Sequence, residues 1–204
     1  MPRIRATSID EHKALTRSLL LASAKDLIAS AGTAEISIGE IALAAGVGRT
    51  TLYDYFTDRD DLIATLVEDE LPGVVSDIIA AAPRSGSAGE RLADLSVRTV
   101  EFVVNDPVLG LILHREVGRM GLEAQQRVRA AHSNLAEAMI GLYFDGVEHG
   151  EFRLMPPELA GRLIQDTIMS AAKTVISSSD PEERIDSVTR HLRLFLLGGL
   201  RHDR

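Results

Sequence analysis

The sequence predicts an all-α protein in two parts, a shorter N-terminal part and a longer C-terminal part. Apolar residues recur every three or four positions along most of the 204-residue chain, and no stretch alternates polar and apolar residues as a strand does. A run of small and turn-forming residues at 83–89, PRSGSAG, interrupts this pattern. Hydrophobic residues make up 45% of the chain and charged residues 25%, which is typical of a helix-rich folded protein.

The N-terminal part contains three predicted helices. The first runs from Asp10 to Gly32, since glycine commonly follows a helix end. Ser37 can cap the second helix while Glu40, three residues later, reaches back to it. Gly46 then suits a turn with positive φ before a third helix. Two short helices joined by such a turn are typical of a helix-turn-helix, whose second helix lies in the major groove of DNA.

The second helix of this motif carries the candidate DNA contacts, which are hydroxyl, guanidinium and aromatic groups: Arg49, Thr50, Thr51, Tyr53 and Tyr55. Such groups suit phosphates and base edges, whereas a solvated helix more often carries Glu and Lys. Lys13 and Arg59 are predicted to hold the DNA backbone, although Arg59 is also interpretable as a solvated arginine among acids. The alternative for the whole motif is an ordinary helix pair without a DNA role.

The same stretch resembles the TetR family of transcriptional regulators. The resemblance is carried by Ile38-x-x-Ile41-Ala42-x-x-Ala45-Gly46-Val47, then Thr51-Leu52-Tyr53-x-Tyr55-Phe56, then Asp60-Asp61-Leu62, and covers roughly residues 15–66. It departs from the family pattern at Gly48, where a small capping residue such as serine is usual, and at Thr50, where glycine is common. Both departures fall at the start of the recognition helix and bear on operator preference.

The resemblance implies an N-terminal three-helix helix-turn-helix DNA-binding domain and a C-terminal helical ligand-binding and dimerisation domain. The predicted boundaries are 1–57 for the first domain, 58–71 for a connecting helix capped by Thr57 or Asp58, and 72–204 for the second domain. Pro72 and Gly73 predict a kinked or broken helix after residue 71. Further helices are predicted at 91–105, 106–113, 123–148, 158–177 and 181–198.

The helices at 158–177 and 181–198 are predicted to form a homodimer interface. Both are more apolar than one buried stripe requires, which indicates burial on two sides. The small residues Ala171 and Ala172 permit close helix approach. A four-helix interface made with a second copy is also what the resemblance implies, and the alternative is a buried hairpin in a monomer.

The resemblance further implies an effector pocket in the C-terminal domain, which the sequence does not locate. Helix bundles build ligand sites from inward-facing side chains on neighbouring helices. The candidate ligand-binding residues, each also interpretable as plain core, are Phe102, Leu109, Leu113, His114, Met120, Met139 and Tyr143. The expected effector is an apolar or amphipathic small molecule.

Several other classes of protein are disfavoured. The absence of cysteine excludes disulfides and thiol catalysis. The histidines at 114, 132 and 149 lack the i, i+4 spacing of a helical metal site, and there is no nucleophile elbow or phosphate-binding glycine loop. We therefore expect no metal, cofactor or enzymatic activity. No apolar run approaches the roughly 20 residues of a membrane span, and the N-terminus lacks a signal peptide's apolar stretch, so a cytoplasmic location is expected.

The net charge of −8 argues against a protein that coats nucleic acid by charge alone. Arg3 and Arg5 precede the first helix. They are interpretable either as part of a frayed terminus or as a basic arm that reaches into the minor groove.

The predicted function is that of a ligand-responsive transcriptional regulator, and repression is favoured over activation. It would bind a palindromic double-stranded DNA operator as a dimer and be released by its effector. The alternative is a small-molecule-binding or enzymatic helical protein whose helix pair does not read DNA.

Overall fold

The computed structural model describes residues 9–31 and 36–201, apart from the side chains of Ala31, Pro107, Leu111 and His114. Every regular element in this part of the chain is a helix, and its one extended pairing is an isolated antiparallel bridge between Phe152 and Arg201. The all-α prediction is confirmed. Arg3, Arg5 and the predicted stop at Gly32 lie outside the described residues. None of the helices described here has the length and apolarity needed to cross a membrane.

The chain divides into two compact units. The first comprises Met1–Glu70 together with Pro107–Ala131. It contains helices α1 (Ile9–Ala31), α2 (Ile38–Ala44) and α3 (Arg49–Tyr53), the beginning of α4 (Arg59–Ala81), α6 (Pro107–Leu111) and α7 (Leu122–Ala131). Its most deeply buried side chains include Leu20, Ala24, Ile28, Ile41, Leu52, Phe56, Leu62 and Leu66.

The second unit comprises Leu71–Asp106 and His132–Arg204. Its helices are the end of α4, α5 (Ala88–Asn105), α8 (Ser133–Glu148), α9 (Pro157–Ile176) and α10 (Pro181–Leu200). Helix α5 packs against α8, α9 and α10. Apolar side chains from all four helices form one core, which includes Leu92, Leu95, Val100, Met139, Tyr143, Ile164, Ile168, Leu192 and Leu196.

Of the predicted kink or break near Pro72, the break is wrong, because α4 runs without interruption from Arg59 to Ala81 with Pro72 inside it. Leu71 and Val75 on either side are almost fully buried, whereas Pro72 and Gly73 are exposed. Burial of these two flanking apolar residues keeps the helix continuous across Pro72 and Gly73. The carbonyl of Glu68, four residues before Pro72, loses its helical hydrogen bond because proline has no N–H to donate.

The single helix predicted at 123–148 is two helices, α7 and α8, separated at His132. His132 has φ −119° and ψ 13°, outside the helical range. Val128 on one side belongs to the first unit, whereas Met139 on the other belongs to the core of the second. The apolar stripe is thus shared between two cores, and the chain turns where it passes from one to the other. The predicted 106–113 helix, likewise, ends early and continues as a π-helical turn at Ile112–Glu116 and a 3₁₀ turn at Val117–Arg119.

Candidate functional site

The geometry of α2 and the turn after it matches the sequence prediction. The Glu40 backbone N–H donates to Ser37 Oγ at 3.3 Å, and the Ser37 backbone N–H donates to Glu40 Oε2 at 2.7 Å. These bonds hold the pKa of the Glu40 carboxyl below its ordinary value, with the backbone bond from Ser37 as the main cause. Gly46 has φ +68°, and the Val47 N–H donates to the Ala42 carbonyl at 3.0 Å. The capping box and the turn therefore fix where α3 starts.

Helix α3 is anchored on one side and open on the other. Leu52 and Phe56, within and just after it, are almost fully buried. Arg49, Thr50 and Tyr53 are exposed. The Arg49 guanidinium lies 5.8 Å from the centre of the Tyr53 ring, and its Nη2 donates weakly to the Tyr53 hydroxyl at 3.4 Å. The structure thus brings these three predicted DNA contacts to one exposed surface.

Thr51 and Tyr55 are half-buried and Lys13 is exposed on α1. Other cations of the first unit are already paired with acids, since Arg17 contacts Asp69 at 2.7 Å and Lys25 contacts Glu70. Asp69 accordingly raises the pKa of Arg17 through their hydrogen bond. These two pairs neutralise two positive charges of the first unit, which weakens its attraction to DNA phosphates.

Arg59 is placed differently from its predicted role. Its Nε donates to the Ile36 carbonyl at 3.0 Å, and its Nη2 donates to Glu116 Oε2 at 2.9 Å. Glu116 is 2% exposed and needs this cation as a partner. A guanidinium held in this way is a structural support for the start of α4, so its placement does not favour a phosphate clamp.

Arg127 on α7 forms the densest polar network of the first unit. Its guanidinium contacts Asp61 at 2.7 Å, Glu68 at 2.6 Å and the Thr65 hydroxyl at 2.9 Å, all on α4. Burial alone would raise the pKa of Asp61, but hydrogen bonds from Arg127 and Thr57 outweigh it and lower that pKa. The sequence shows half of this network, because Asp61, Thr65 and Glu68 share one face of α4. It gives no signal that Arg127, about 60 residues away, is their partner.

The residues predicted to bind the effector are divided between the two units. Leu109, Leu113 and Met120 belong to the first unit, whereas Phe102, Met139 and Tyr143 belong to the second. The side chain of His114 lies outside the described residues. Tyr143 is fully buried, and its hydroxyl donates to the Arg153 carbonyl at 2.8 Å while it accepts from the Met155 N–H at 2.7 Å. That hydroxyl is therefore occupied by the backbone.

The second unit contains a cavity of about 740 Å³ that the sequence analysis did not find. Its walls come from the end of α4, the first half of α5 and the middle of α8. One sequence feature could have indicated this cavity. The small residues Ala138 and Gly141 share one face of α8 with Asp145 at helical spacing. Each of these residues lines the cavity.

A helix-turn-helix with an open recognition helix, followed by a helical region with a cavity, defines a DNA-binding regulator that responds to a ligand. The comparisons with known proteins agree. Residues 20–66 match the model of bacterial regulatory proteins of the tetR family, and residues 85–173 match that of the tetracyclin repressor-like C-terminal domain. The chain belongs to the TetR family, and it is a ligand-responsive transcriptional regulator of the repressor type.

Individual relatives cover most of the chain at low identity. A fatty acid metabolism regulator protein from Bacillus subtilis (strain 168) is 21% identical over 180 residues, which is 88% of this chain and 93% of the relative. Among solved structures, FadR from Bacillus subtilis in complex with stearoyl-CoA has a TM-score of 0.73 and 20% identity, covering 90% of this chain and 99% of that one. A TetR-family protein from Shewanella sp. PV-4 has a TM-score of 0.74 and 19% identity, covering 92% and 99%. At these identities the structures show a shared fold.

Proposed function

We propose that this regulator is a homodimer that represses transcription from a roughly palindromic operator. Each subunit inserts α3 into a major groove, and the spacing of the operator half-sites matches the distance between the two α3 helices of the dimer. The observation that carries this proposal is the cluster of Arg49, Thr50 and Tyr53 on the open side of α3, with Leu52 and Phe56 holding the other side against the core. The protein acts in the cytoplasm and has no catalytic role.

The proposed contacts divide into two kinds. Arg49, Thr50 and Thr51 lie at the start of α3, the part of a recognition helix that meets base edges. Tyr53, Tyr55 and Lys13 hold the phosphate backbone, which fixes register without reading sequence. Because the surrounding acids weaken attraction to random DNA, we expect specific but strongly salt-dependent binding.

Dimerisation through α9 and α10 is supported by the apolar surface that these helices expose. Leu159, Leu163 and Ile176 on α9 and Leu194 and Phe195 on α10 are each more than two-fifths exposed, and Phe195 is 66% exposed. A groove lined by both helices runs between them. So many large exposed apolar side chains on two neighbouring helices are unusual for a monomer and favour a protein partner.

Release by an effector is supported by the contacts of α4. Five residues separate this helix from the end of α3, and its first turns are held by Arg127 and by the pair of Arg59 with Glu116. An effector that prefers one arrangement of the helical region shifts α4 and with it α3. The coupling it supplies is limited to its difference in affinity for the two arrangements, typically about 1–3 kcal/mol. The name of the Bacillus relative and the stearoyl-CoA bound to a structural neighbour support an apolar or amphipathic effector.

The test is fluorescence anisotropy with purified protein at two salt concentrations. DNA from upstream of the protein's own gene is compared with a scrambled duplex, and a selection from random DNA supplies the operator if neither is preferred. Arg49→Ala and Thr51→Ala should lose operator binding by about tenfold or more while remaining folded dimers. Arg129→Ala is the matched control, since it removes the same charge from an exposed arginine whose side chain, among residues 9–31 and 36–201, bonds only to Gln125. If selection returns no preferred site, the regulator proposal is wrong.

A further inference from the structure

We propose that the cavity between α4, α5 and α8 is the effector site and that Arg91 binds the anionic group of an amphipathic ligand there. The ligand class is an apolar chain or ring that carries one terminal carboxylate or phosphate. This inference rests on the proposed function, because it names the effector of the regulator. Its evidence comes from the cavity itself.

The cavity has the size and lining of a small-molecule site. Its volume of about 740 Å³ lies within the 300–1,000 Å³ typical of ligand pockets. Most of its wall is apolar or small, from Val75, Ile79, Ala80, Ala82, Leu95, Ala138, Gly141 and Leu142. The charged groups on its wall are Arg84, Arg91 and Asp145. An apolar body with a single anionic head matches this arrangement.

Arg91 holds unused hydrogen-bonding capacity. Among the described residues its guanidinium makes no hydrogen bond, and its one ionic neighbour is Asp145, whose Oδ2 lies 3.5 Å from Nη1. The Nε atom is buried without any hydrogen-bond partner in that part of the chain. A buried N–H without a hydrogen-bond partner costs free energy, and a group of this kind in a native structure calls for a partner. A carboxylate or phosphate in the cavity supplies a partner for this guanidinium, since guanidinium groups bind these anions in fork geometry. Because Nε itself is not exposed, the Arg91 side chain must rotate for Nε to join the fork.

Arg98 on the same helix shows what a purely structural arginine looks like here. Its Nε donates to Asp94 at 2.6 Å, one turn away. Arg98 and Arg91 are comparably exposed, at 35% and 32% of their side chains, yet the first is satisfied and the second is not. Arg98 does not line the cavity.

The charges around Arg91 favour a ligand with one anionic group. Two arginines and one aspartate leave the wall with a single excess positive charge. The Asp145 side chain is 41% exposed and lies 3.3 Å from His149 Nδ1, so water, and the imidazole when protonated, remain as its partners when a ligand anion takes Arg91. The pair of Arg91 and Asp145 therefore opens at low cost. Because α4 lines the cavity with Val75, Ser76 and Ile79, a bound ligand also contacts the helix that follows α3 in the chain.

The test is isothermal titration calorimetry of the full-length protein with three decyl probes: decanoate, decyl phosphate and the neutral 1-decanol. We expect at least one anionic probe to bind about tenfold or more tightly than decanol. Arg91→Gln should remove that advantage and leave the affinity for decanol unchanged. Arg98→Gln should leave all three affinities unchanged. Comparing the affinities for decanoate and decyl phosphate shows whether the anionic group of the ligand is a carboxylate or a phosphate.

A second variant blocks the cavity without removing a charge. A side chain at Gly141 meets no atom within 4 Å at its first carbon and points from a cavity wall, so Gly141→Leu should fold and weaken every probe by about tenfold or more. Gly73→Leu, at another helical glycine with free space and outside the cavity lining, is the control.

The proposal is overturned if no probe binds, if decanol binds as well as both anions, or if Arg91→Gln or Gly141→Leu leaves binding unchanged. These outcomes are independent of DNA, because calorimetry needs no operator. Specific operator binding without Arg91-dependent probe binding rejects the cavity and keeps the regulator. Arg91-dependent probe binding without any preferred DNA site rejects the regulator and keeps the cavity.

Discussion

The hydroxyl of Tyr143 is fixed from two sides inside the second unit. It donates to the Arg153 carbonyl and accepts from the Met155 N–H, and so it ties α8 to the segment that precedes α9. The ring is fully buried and lies 6.0 Å from the parallel ring of Phe152. Tyr143 therefore holds the fold through both its ring and its hydroxyl.

Tyr143→Phe should lower the free energy of unfolding by about 1–3 kcal/mol, because it removes two part-buried hydrogen bonds worth about 0.5–1.5 kcal/mol each. The measurement is urea unfolding at fixed protein concentration. Tyr53→Phe is the control, since the Tyr53 hydroxyl is exposed and its loss should change stability by less than about 0.5 kcal/mol. Normal stability with altered effector affinity would instead place Tyr143 in the ligand site.

Gly146 on α8 permits a close approach of Phe152. A Cβ atom at this position would lie 2.3 Å from Phe152 Cδ2, far inside van der Waals contact, and Phe152 is itself buried. We expect Gly146→Ala to destabilise the protein by about 1–3 kcal/mol through overpacking. Gly141→Ala on the same helix meets no atom and should stabilise it slightly through better helix propensity.

The thermal unfolding midpoints of the two variants measure this difference. Adding Phe152→Leu to Gly146→Ala should recover part of the loss, because the smaller side chain leaves room for the new methyl group. If Gly146→Ala and Gly141→Ala have the same midpoint, the packing of α8 against Phe152 differs from the structure.

Residues whose role depends on close sequence neighbours are predictable, and those with distant partners are not. Ser37, Glu40 and Gly46 act within three or four positions, and the structure confirms their cap and turn. Arg59 stands among acids in the sequence and resembles a free surface cation. Its partner Glu116 lies 57 residues away, and only the folded chain brings the two together.

At the scale of helices, the contact between α7 and α4 depends on one side chain. Arg127 donates to Asp61, Thr65 and Glu68, which occupy two successive turns of α4. Asp60 adds a further tie, because it accepts from the Gly121 N–H at 2.9 Å just before α7 begins. These bonds fix the first half of α4 relative to α7 within the first unit.

Arg127→Gln should lower the free energy of unfolding by about 1–2 kcal/mol at pH 7, since three acceptors lose a half-buried cation. The carboxyl of Asp61 has a lowered pKa in the folded protein. Its contribution to stability is therefore full above the unfolded pKa of about 3.9 and is lost as the pH falls through the lower folded pKa. The difference between wild type and variant should shrink below about pH 4.

The measurement is the urea midpoint of both proteins at pH 7, 5 and 3.5. Arg129→Gln on the same helix serves as the control because its side chain bonds only within α7, and its midpoint should follow wild type at every pH. A gap between wild type and Arg127→Gln that stays constant down to pH 3.5 would contradict an ionic origin.

Helix boundaries follow from sequence where caps mark them and fail where tertiary packing decides. The start of α2 is marked by the capping box at Ser37, which was predicted. The prediction missed a second capping box at Ser87, so α5 starts at Ala88 and not at the predicted residue 91. Pro72 carries the strongest breaking signal in the chain, yet α4 continues because burial of Leu71 and Val75 outweighs one lost hydrogen bond. No comparable local signal marks the break at His132, where the apolar stripe changes from one core to another.

For the whole molecule, the resemblance of residues 15–66 to TetR regulators predicted the family and the all-α architecture. It did not predict that residues 107–131 would join the N-terminal residues in one compact unit. That grouping depends on polar pairs such as Arg127 with Glu68 and Arg59 with Glu116, which join residues 57 or more positions apart. The cavity was missed for the same reason, because its walls come from three separate helices.

The proposed dimerisation is the property of the whole molecule on which the proposed operator recognition depends, and the exposed side chains of α10 test it. Phe195 is 66% exposed and lines the groove between α9 and α10. Phe195→Glu places a charge in the proposed interface, where desolvation is costly, and should convert the dimer into a monomer. Leu154→Glu is the matched control, because Leu154 is 74% exposed and lies outside both helices.

The oligomeric state is measured by analytical ultracentrifugation, and operator binding by anisotropy on a full operator and on a single half-site. Two linked recognition helices bind a palindrome far more tightly than one, so Phe195→Glu should weaken binding to the full operator by roughly 100-fold or more. Its affinity for the half-site should match that of the wild type, because α3 is unchanged. A Phe195→Glu protein that remains dimeric, or a Leu154→Glu protein that becomes monomeric, would move the interface away from α9 and α10. A monomer that binds the full operator as tightly as wild type would show that each α3 binds without help from its twin.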